Sequence, residues 1–248
     1  MSSIYGPSIP MRELKILLDA NNNISYPGTG TQIFDLSGNQ NNYNIFGTIP
    51  IIDETTYKYW DFSGNDNGDA NSRSYNAPLG ITSAVGNMDA MGLTRTGSFT
   101  ISFWYTHDGS GGQISLVANA GGADGYRFGP SGGGYYWLMG PGYREGIYYS
   151  SAGGGDSNWH LVSGVFDRAN EYGRSGGASV HLYHDGEYLG DVGNFSSQTT
   201  MTSGPPNISR NPCCLRFDGK LNSFFWHDTA LNSVECKQLY DAYSQRFL

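Results

Sequence analysis

Only six glutamates occur in this 248-residue chain: Glu13, Glu54, Glu145, Glu171, Glu187 and Glu235. Glycosidic-bond hydrolysis needs two carboxyl groups about 5–10 Å apart across the bond. On a β-strand, acids two or four residues apart share a face. Glu187 and Asp191 have that spacing, but Glu187 directly follows a tight turn and Gly190 is placed to end the strand. No E-x-D-x-x-E pattern occurs. GPSGG around Ser131 and GRSGG around Ser175 match G-x-S-x-G by letter. Neither lies between a strand and a helix, where a nucleophile elbow must sit. No catalytic residue is assigned, and the chain reads as a non-enzyme.

A second group of residues could hold a cation. In FDLSGNQNNYNIFG (34–47), Asp35, Ser37, Asn39 and Asn41 offer oxygen at alternate positions, as calcium loops do. The loop has one carboxylate, and Gly38 falls at the wrong place for an EF-hand. The competing reading is a tight surface loop whose Asp and Asn side chains bond nearby backbone amides and tolerate left-handed conformations. DFSGNDN (61–67) echoes the motif and reads as convergent turn chemistry. His181 and His184 form H-x-x-H, but residues three apart on a strand face opposite ways. His160 reads as a packing residue, and no metal trio is expected.

Aromatic residues supply a third chemistry. GGGYYWLMGPGYREGIYYSS (132–151) carries Tyr135, Tyr136 and Tyr143, whose rings, if exposed, could stack on sugar faces or form a protein interface. Alternation places about half of such rings in a core instead. Trp104, Trp159 and Trp226 are expected between sheets.

Composition sets the frame for these residues. Apolar residues make up 38% and aromatics 14%, enough for a core. Gly is 36 of 248, about twice the usual share, which with many aromatics indicates short strands and many turns. The formal charge is −8 with no Lys/Arg cluster, so a nucleic-acid footprint is missing. No run of 18 apolar residues occurs, and no membrane span is expected. The N-terminus lacks a basic segment followed by an apolar one, so no secretory signal is expected. Three cysteines, Cys213, Cys214 and Cys236, with no C-x-x-C, read as reduced thiols.

The elements follow from periodicity. Met1–Pro10, broken by Gly6, Pro7 and Pro10, reads as an arm, and 11–248 as a single domain. Leu14–Ala20 reads as a strand. Ser98–Thr106 alternates, with Phe99, Ile101, Phe103 and Tyr105 on one face. Ser157–Asp167 puts Trp159, Leu161 and Val165 on one face and Val162 and Phe166 on the other. Val180–Gly190 reads as a hairpin around Asp185-Gly186. Cys214–Gly219 and Lys220–His227 complete the strands. Ala230–Gln245 carries a helical stripe, with Asn232 and Glu235 forming a capping-box variant that predicts a helix over about 233–244. The sum is an all-β, two-sheet antiparallel sandwich with one short C-terminal helix.

In order, LKILLDANNN, SYPGTGT, FDLSGNQNN, YWDFSG, FTISFWY, NWHLVSGVFD, VHLYHDGEYLG and LRFDGKLNSFFWHDTALNSVECKQLYDA resemble the laminin-G-like branch of the concanavalin A-like lectin/glucanase superfamily over about Leu14–Tyr243. The resemblance implies a jelly roll. It also implies calcium as an option at the sandwich edge, with Asp35 and Asn39 the residues to carry it, and otherwise no cofactor. DANNNISYPGTGT and DLSGNQNN are similar to modules in virion proteins of tailed phages, especially cyanophages, and to bacterial surface proteins. The expectation is a non-enzymatic virion surface protein, a capsid decoration or accessory protein with a lectin-like fold. Its partner would be the major capsid or another virion protein, and a homo-oligomer is compatible with it. The alternative is a glycan-binding adhesin module of a tail or cell surface, extracellular and facing a cell-surface glycan. An atypical glycoside hydrolase is the lesser alternative.

Overall fold

The structure is a computed structural model. It describes residues 8–47, 49, 51–63, 80–107, 117–119, 124–131, 134–141, 145–149, 155–172, 178–193, 204–209 and 217–247. The first strands are β1 (Leu14–Asp19), β2 (Gln32–Ile33), β3 (Tyr43–Phe46), β4 (Ile51–Asp53), β5 (Lys58–Asp61) and β6 (Gly80–Ser83). Then come β7 (Phe99–Thr106), β8 (Val117–Asn119), β9 (Asp124–Ser131), β10 (Gly134–Pro141) and β11 (Glu145–Tyr149). The chain ends with β12 (His160–Asp167), β13 (Ser179–His184), β14 (Glu187–Gly193), β15 (Pro206–Ile208), β16 (Lys220–His227) and helix α1 (Ser233–Ser244). Of the expected strand at Cys214–Gly219, residues 214–216 lie outside the described residues, and Phe217–Gly219 are not strand but lead into β16, with Gly219 O accepting from Phe62 N at 2.8 Å. Cys213 and Cys214 lie outside them too, whereas Cys236 is a free, buried thiol.

Among the described residues the strands form two antiparallel sheets. One runs β14-β13-β12-β7-β16-β5-β4, with β1 pairing on β16 beyond β5. The other runs β11-β10-β9-β8-β15-β6-β3-β2. Alternation decides what lies between them. On β7, Phe99, Ile101, Phe103 and Tyr105 are fully buried in the main core, as are Val162 and Phe166 of β12 and Val180 and Leu182 of β13. Each fully buried Phe or Leu of this kind contributes roughly 1.5–3 kcal/mol relative to exposure. Phe128 and Trp137 meet them from the second sheet, Phe128 against Phe103 and Trp137 against Phe99 at ring-centroid distances of 5.2 and 5.7 Å.

The other face of the first sheet is covered by α1. There Leu14, Leu17, Trp104, Leu161 and Phe225 pack on Leu239 and Tyr243. This corrects the expected place of two tryptophans. Of these three, only Trp226 lies between the sheets; Trp104 and the half-buried Trp159 sit on the outer face under Tyr240 and Phe247. The reason is parity, because Trp104 alternates with the inward Phe103 and Tyr105.

The end of the arm is fastened to this body. Pro10 is buried and its carbonyl accepts a hydrogen bond from His227 Nε2 at 3.0 Å. Ile9 packs on the outer cluster, and Gln238 donates to the Ser8 carbonyl. No helix among the described residues is long and apolar enough to cross a membrane.

Candidate functional site at the β13–β14 hairpin

Asp185 and Gly186 form the expected two-residue turn, with φ of 52° and 79°. Both angles are positive, as a primed hairpin turn requires. Asp185 does more than turn the chain. Its Oδ1 accepts from Leu161 N at 2.9 Å and its own N–H donates to Leu161 O at 2.8 Å, which ties the turn to the start of β12. Its Oδ2 lies 2.8 Å from His160 Nδ1 and 3.4 Å from His184 Nε2. His160 and His184 share the parity of inward residues, Val162 and Leu182, and so meet at the open end of the sandwich, with ring centroids 4.4 Å apart.

Both rings are held from behind. His160 Nε2 lies 3.0 Å from Asp156 Oδ1. His184 Nδ1 lies 2.7 Å from the Tyr135 hydroxyl, which in turn accepts from Tyr105 at 2.8 Å. Burial works against a charged His160, but Asp185 and then Asp156 outweigh it and raise its pKa. Burial likewise works against an ionised Asp185, yet His160 and His184 hold its carboxyl well below the usual range. Three candidate ligand atoms, one each from His160, His184 and Asp185, lie within 4.8 Å of one another. The expectation that no metal trio forms is therefore corrected. His160 and His184 stand 24 residues apart on neighbouring strands, and only the β12–β13 register brings them together.

The other side of the turn opens onto a cleft of about 510 Å³ between the hairpin and α1. Gly186, Glu187, Val234, Lys237, Gln238 and Asp241 line it, and Val234 is 73% exposed. Gly186 is required by contact as well as by φ. A Cβ there would stand 2.8 Å from Lys237 Cδ and 3.1 Å from Tyr240 Cβ. Lys237 and Asp241, one turn apart, form an ion pair on the cleft wall.

The residues singled out in the sequence fare unequally. Glu187 and Asp191 are not a carboxylate pair. β14 continues through Gly190, and a bulge between Leu182 and Tyr183 sets Glu187 opposite His184 but Asp191 opposite His181. The extra residue reverses the alternation, so the two acids lie on opposite faces. Of the two readings of Asp35 and Asn39, the hydrogen bonds fit the tight loop rather than the calcium option. Asp35 accepts four hydrogen bonds, from Leu17 N, Ser37 N, Ser37 Oγ and Asn41 N, at 2.7–3.0 Å. Asn39 turns its NH₂ group to Leu14 O and Ser37 Oγ. A carboxylate ringed by donors, beside an amide presenting N–H, does not fit calcium, which takes six to eight oxygen ligands. Tyr135 is fully buried, so its ring is not a surface for a ligand. The Tyr136 side chain and Tyr143 lie outside the described residues.

These features define a lectin-like antiparallel jelly-roll sandwich. The chain belongs to the concanavalin A-like lectin/glucanases superfamily, whose laminin G family model matches residues 80–236. No curated protein matches it in sequence. Several solved structures share the fold. The binding domain of Paraclostridial Mosquitocidal Protein 1 aligns over 93% of this chain and 52% of its own, with TM-score 0.66 and 17% identity. The binding domain of botulinum neurotoxin DC, determined with SialylT, aligns over 94% and 52%, with TM-score 0.67 and 12% identity. A structure of botulinum neurotoxin type C, whose cell entry depends on interaction with two ganglioside molecules, gives 93%, 51%, 0.67 and 12%. The chain thus spans about half the length of these proteins, and at such identities the likeness is one of fold.

Proposed function

We propose that this chain is a non-enzymatic recognition module that binds a neutral saccharide of a cell surface in the hairpin–helix cleft. The observation that carries the reading is the cleft itself. It combines carboxylate acceptors at Glu187 and Asp241, a cation at Lys237 and an amide at Gln238 around the exposed apolar Val234. Vicinal sugar hydroxyls need such convergent donors and acceptors beside an apolar contact. The separation of Glu187 from Asp191 argues against the hydrolase alternative. The superfamily and the toxin binding domains, one of them determined with SialylT and one tied to gangliosides, support a binding role. A glycan array probed with the purified chain tests this. Binding that falls at least tenfold in Asp241→Ala and Lys237→Ala is expected, and a flat array removes the reading.

We place the module on a virion surface, as a capsid decoration or accessory protein. This rests on the resemblance of DANNNISYPGTGT and DLSGNQNN to phage virion modules. Its arm would add to a capsid partner, as extended segments do at sheet edges. Deleting Met1–Ser8 and measuring particle occupancy tests the placement, because occupancy unchanged by the deletion counts against a docking arm.

A further inference from the structure

We propose that His160, His184 and Asp185 form a binding site for a divalent transition metal of the zinc class, at the open end of the sandwich. The proposal stands on orientation rather than on the presence of three ligand types. The atoms His160 Nδ1 and His184 Nε2 both face Asp185 Oδ2, at 2.8 and 3.4 Å. With zinc–ligand bonds of about 2.0–2.2 Å, tetrahedral ligand atoms stand roughly 3–3.5 Å apart, so the trio needs only small side-chain shifts to close on an ion.

The remaining nitrogen of each ring is already engaged. His160 Nε2 meets the Asp156 carboxylate at 3.0 Å and His184 Nδ1 meets the Tyr135 hydroxyl at 2.7 Å. Metal-binding histidines characteristically give their second nitrogen to such a carboxylate or polar group, which fixes the ring and its tautomer. The second oxygen of Asp185 is fixed by Leu161 N. Asp156 is positioned in turn by Asn158, whose N–H and NH₂ donate to its two oxygens at 2.9 Å. The ligands are reachable: the side chains of His160, His184 and Asp185 are 13%, 16% and 28% exposed. Two imidazoles and one carboxylate favour zinc, copper or nickel over calcium and magnesium. Three protein ligands leave a further position for water or a ligand atom. An ion there would join β12 to the hairpin whose Gly186 lines the cleft, but the site does not depend on a saccharide binding in that cleft.

The test is calorimetric titration of the full, chelator-treated chain with zinc chloride, followed by cobalt(II) as a spectroscopic probe. One equivalent of zinc and visible cobalt bands of a tetrahedral site are expected. Asp185→Asn, which keeps a residue tolerant of positive φ in the turn, and His184→Gln should each weaken binding at least tenfold. Asp156→Asn, on an exposed acid behind the ligands, should weaken it about tenfold by loosening His160. Absence of zinc binding by the wild-type chain overturns the proposal and leaves the cluster an ion-pair network. Binding that all folded variants retain overturns it equally. If Asp185→Asn or His184→Gln fails to fold by circular dichroism, the wild-type stoichiometry and the Asp156→Asn comparison still decide.

Discussion

His227 shows how one buried side chain makes stability depend on pH. Its Nε2–H donates to Pro10 O, while Nδ1 is buried without a partner, so the ring is held neutral. Burial depresses its pKa from 6.5 to about 4, and nearby Arg12 adds to this against the opposing effects of Pro10 and Glu235. Between these values the unfolded chain carries a proton that the folded chain refuses. The contribution is therefore complete above about pH 6.5 and is lost as pH falls towards 4, by about 3 kcal/mol in all. His227→Gln keeps an N–H donor but does not titrate. Urea unfolding from pH 7 to 4 should fall less steeply in the variant, and parallel curves would contradict the assignment. Asp35 makes a second residue-scale case. Asp35→Asn would put an NH₂ group in place of one carboxylate oxygen, towards two of those four donors, at a cost of about 1–3 kcal/mol. The same geometry predicts equal melting temperatures in calcium and in chelator; a rise with calcium would show that the loop rearranges to admit the ion.

At the scale of elements, α1 was the most legible part of the chain, because its start signal is local. Asn232 accepts from Glu235 N at 3.0 Å and Glu235 accepts from Asn232 N at 2.8 Å, the reciprocal box that the letters NSVE foretell. The sequence did not disclose that Glu235 also takes the Arg12 guanidinium at 2.8 Å, 223 residues away, because no local pattern encodes that pair. Asn232→Ala should cost about 1 kcal/mol, read as a lowered urea midpoint with unchanged slope. The hairpin obeys the same logic, since Asp-Gly announces its turn. Its role as a seat for α1 emerges only from the Gly186–Lys237 and Gly186–Tyr240 contacts. Gly186→Ala should therefore cost at least about 1 kcal/mol, through both strain at positive φ and displacement of the helix. A variant as stable as the parent would show that α1 can shift without penalty.

Across the whole molecule, strand parity was readable wherever one face is continuous, as in Phe99–Thr106 and His160–Asp167, and those runs built the first sheet. Most of the second sheet was less legible, because strands such as Gln32–Ile33 and Val117–Asn119 are too short to show a period. The histidine–aspartate cluster was hidden for a related reason: register is a property of paired strands, and a one-residue bulge in β14 changes which acids share a face. What joins the sheets is close contact at Gly164. A Cβ there would stand 2.6 Å from Trp137 Cζ3 and 2.9 Å from Phe128 Cε1 and Cζ, aromatic atoms of the opposite sheet. Phe128 and Trp137 are fully buried and pack against each other, tilted by 48° with ring centroids 4.9 Å apart, and Trp137 also packs against Phe99, so neither ring has open space to enter. Gly164→Ala should therefore force the sheets or the rings apart, as overpacking of a dense core does, at a cost of about 1–3 kcal/mol. The deficit should appear in guanidinium unfolding and in the near-ultraviolet circular dichroism of the displaced tryptophan. Retention of both the wild-type midpoint and the aromatic signal would mean that the two sheets do not depend on this close approach.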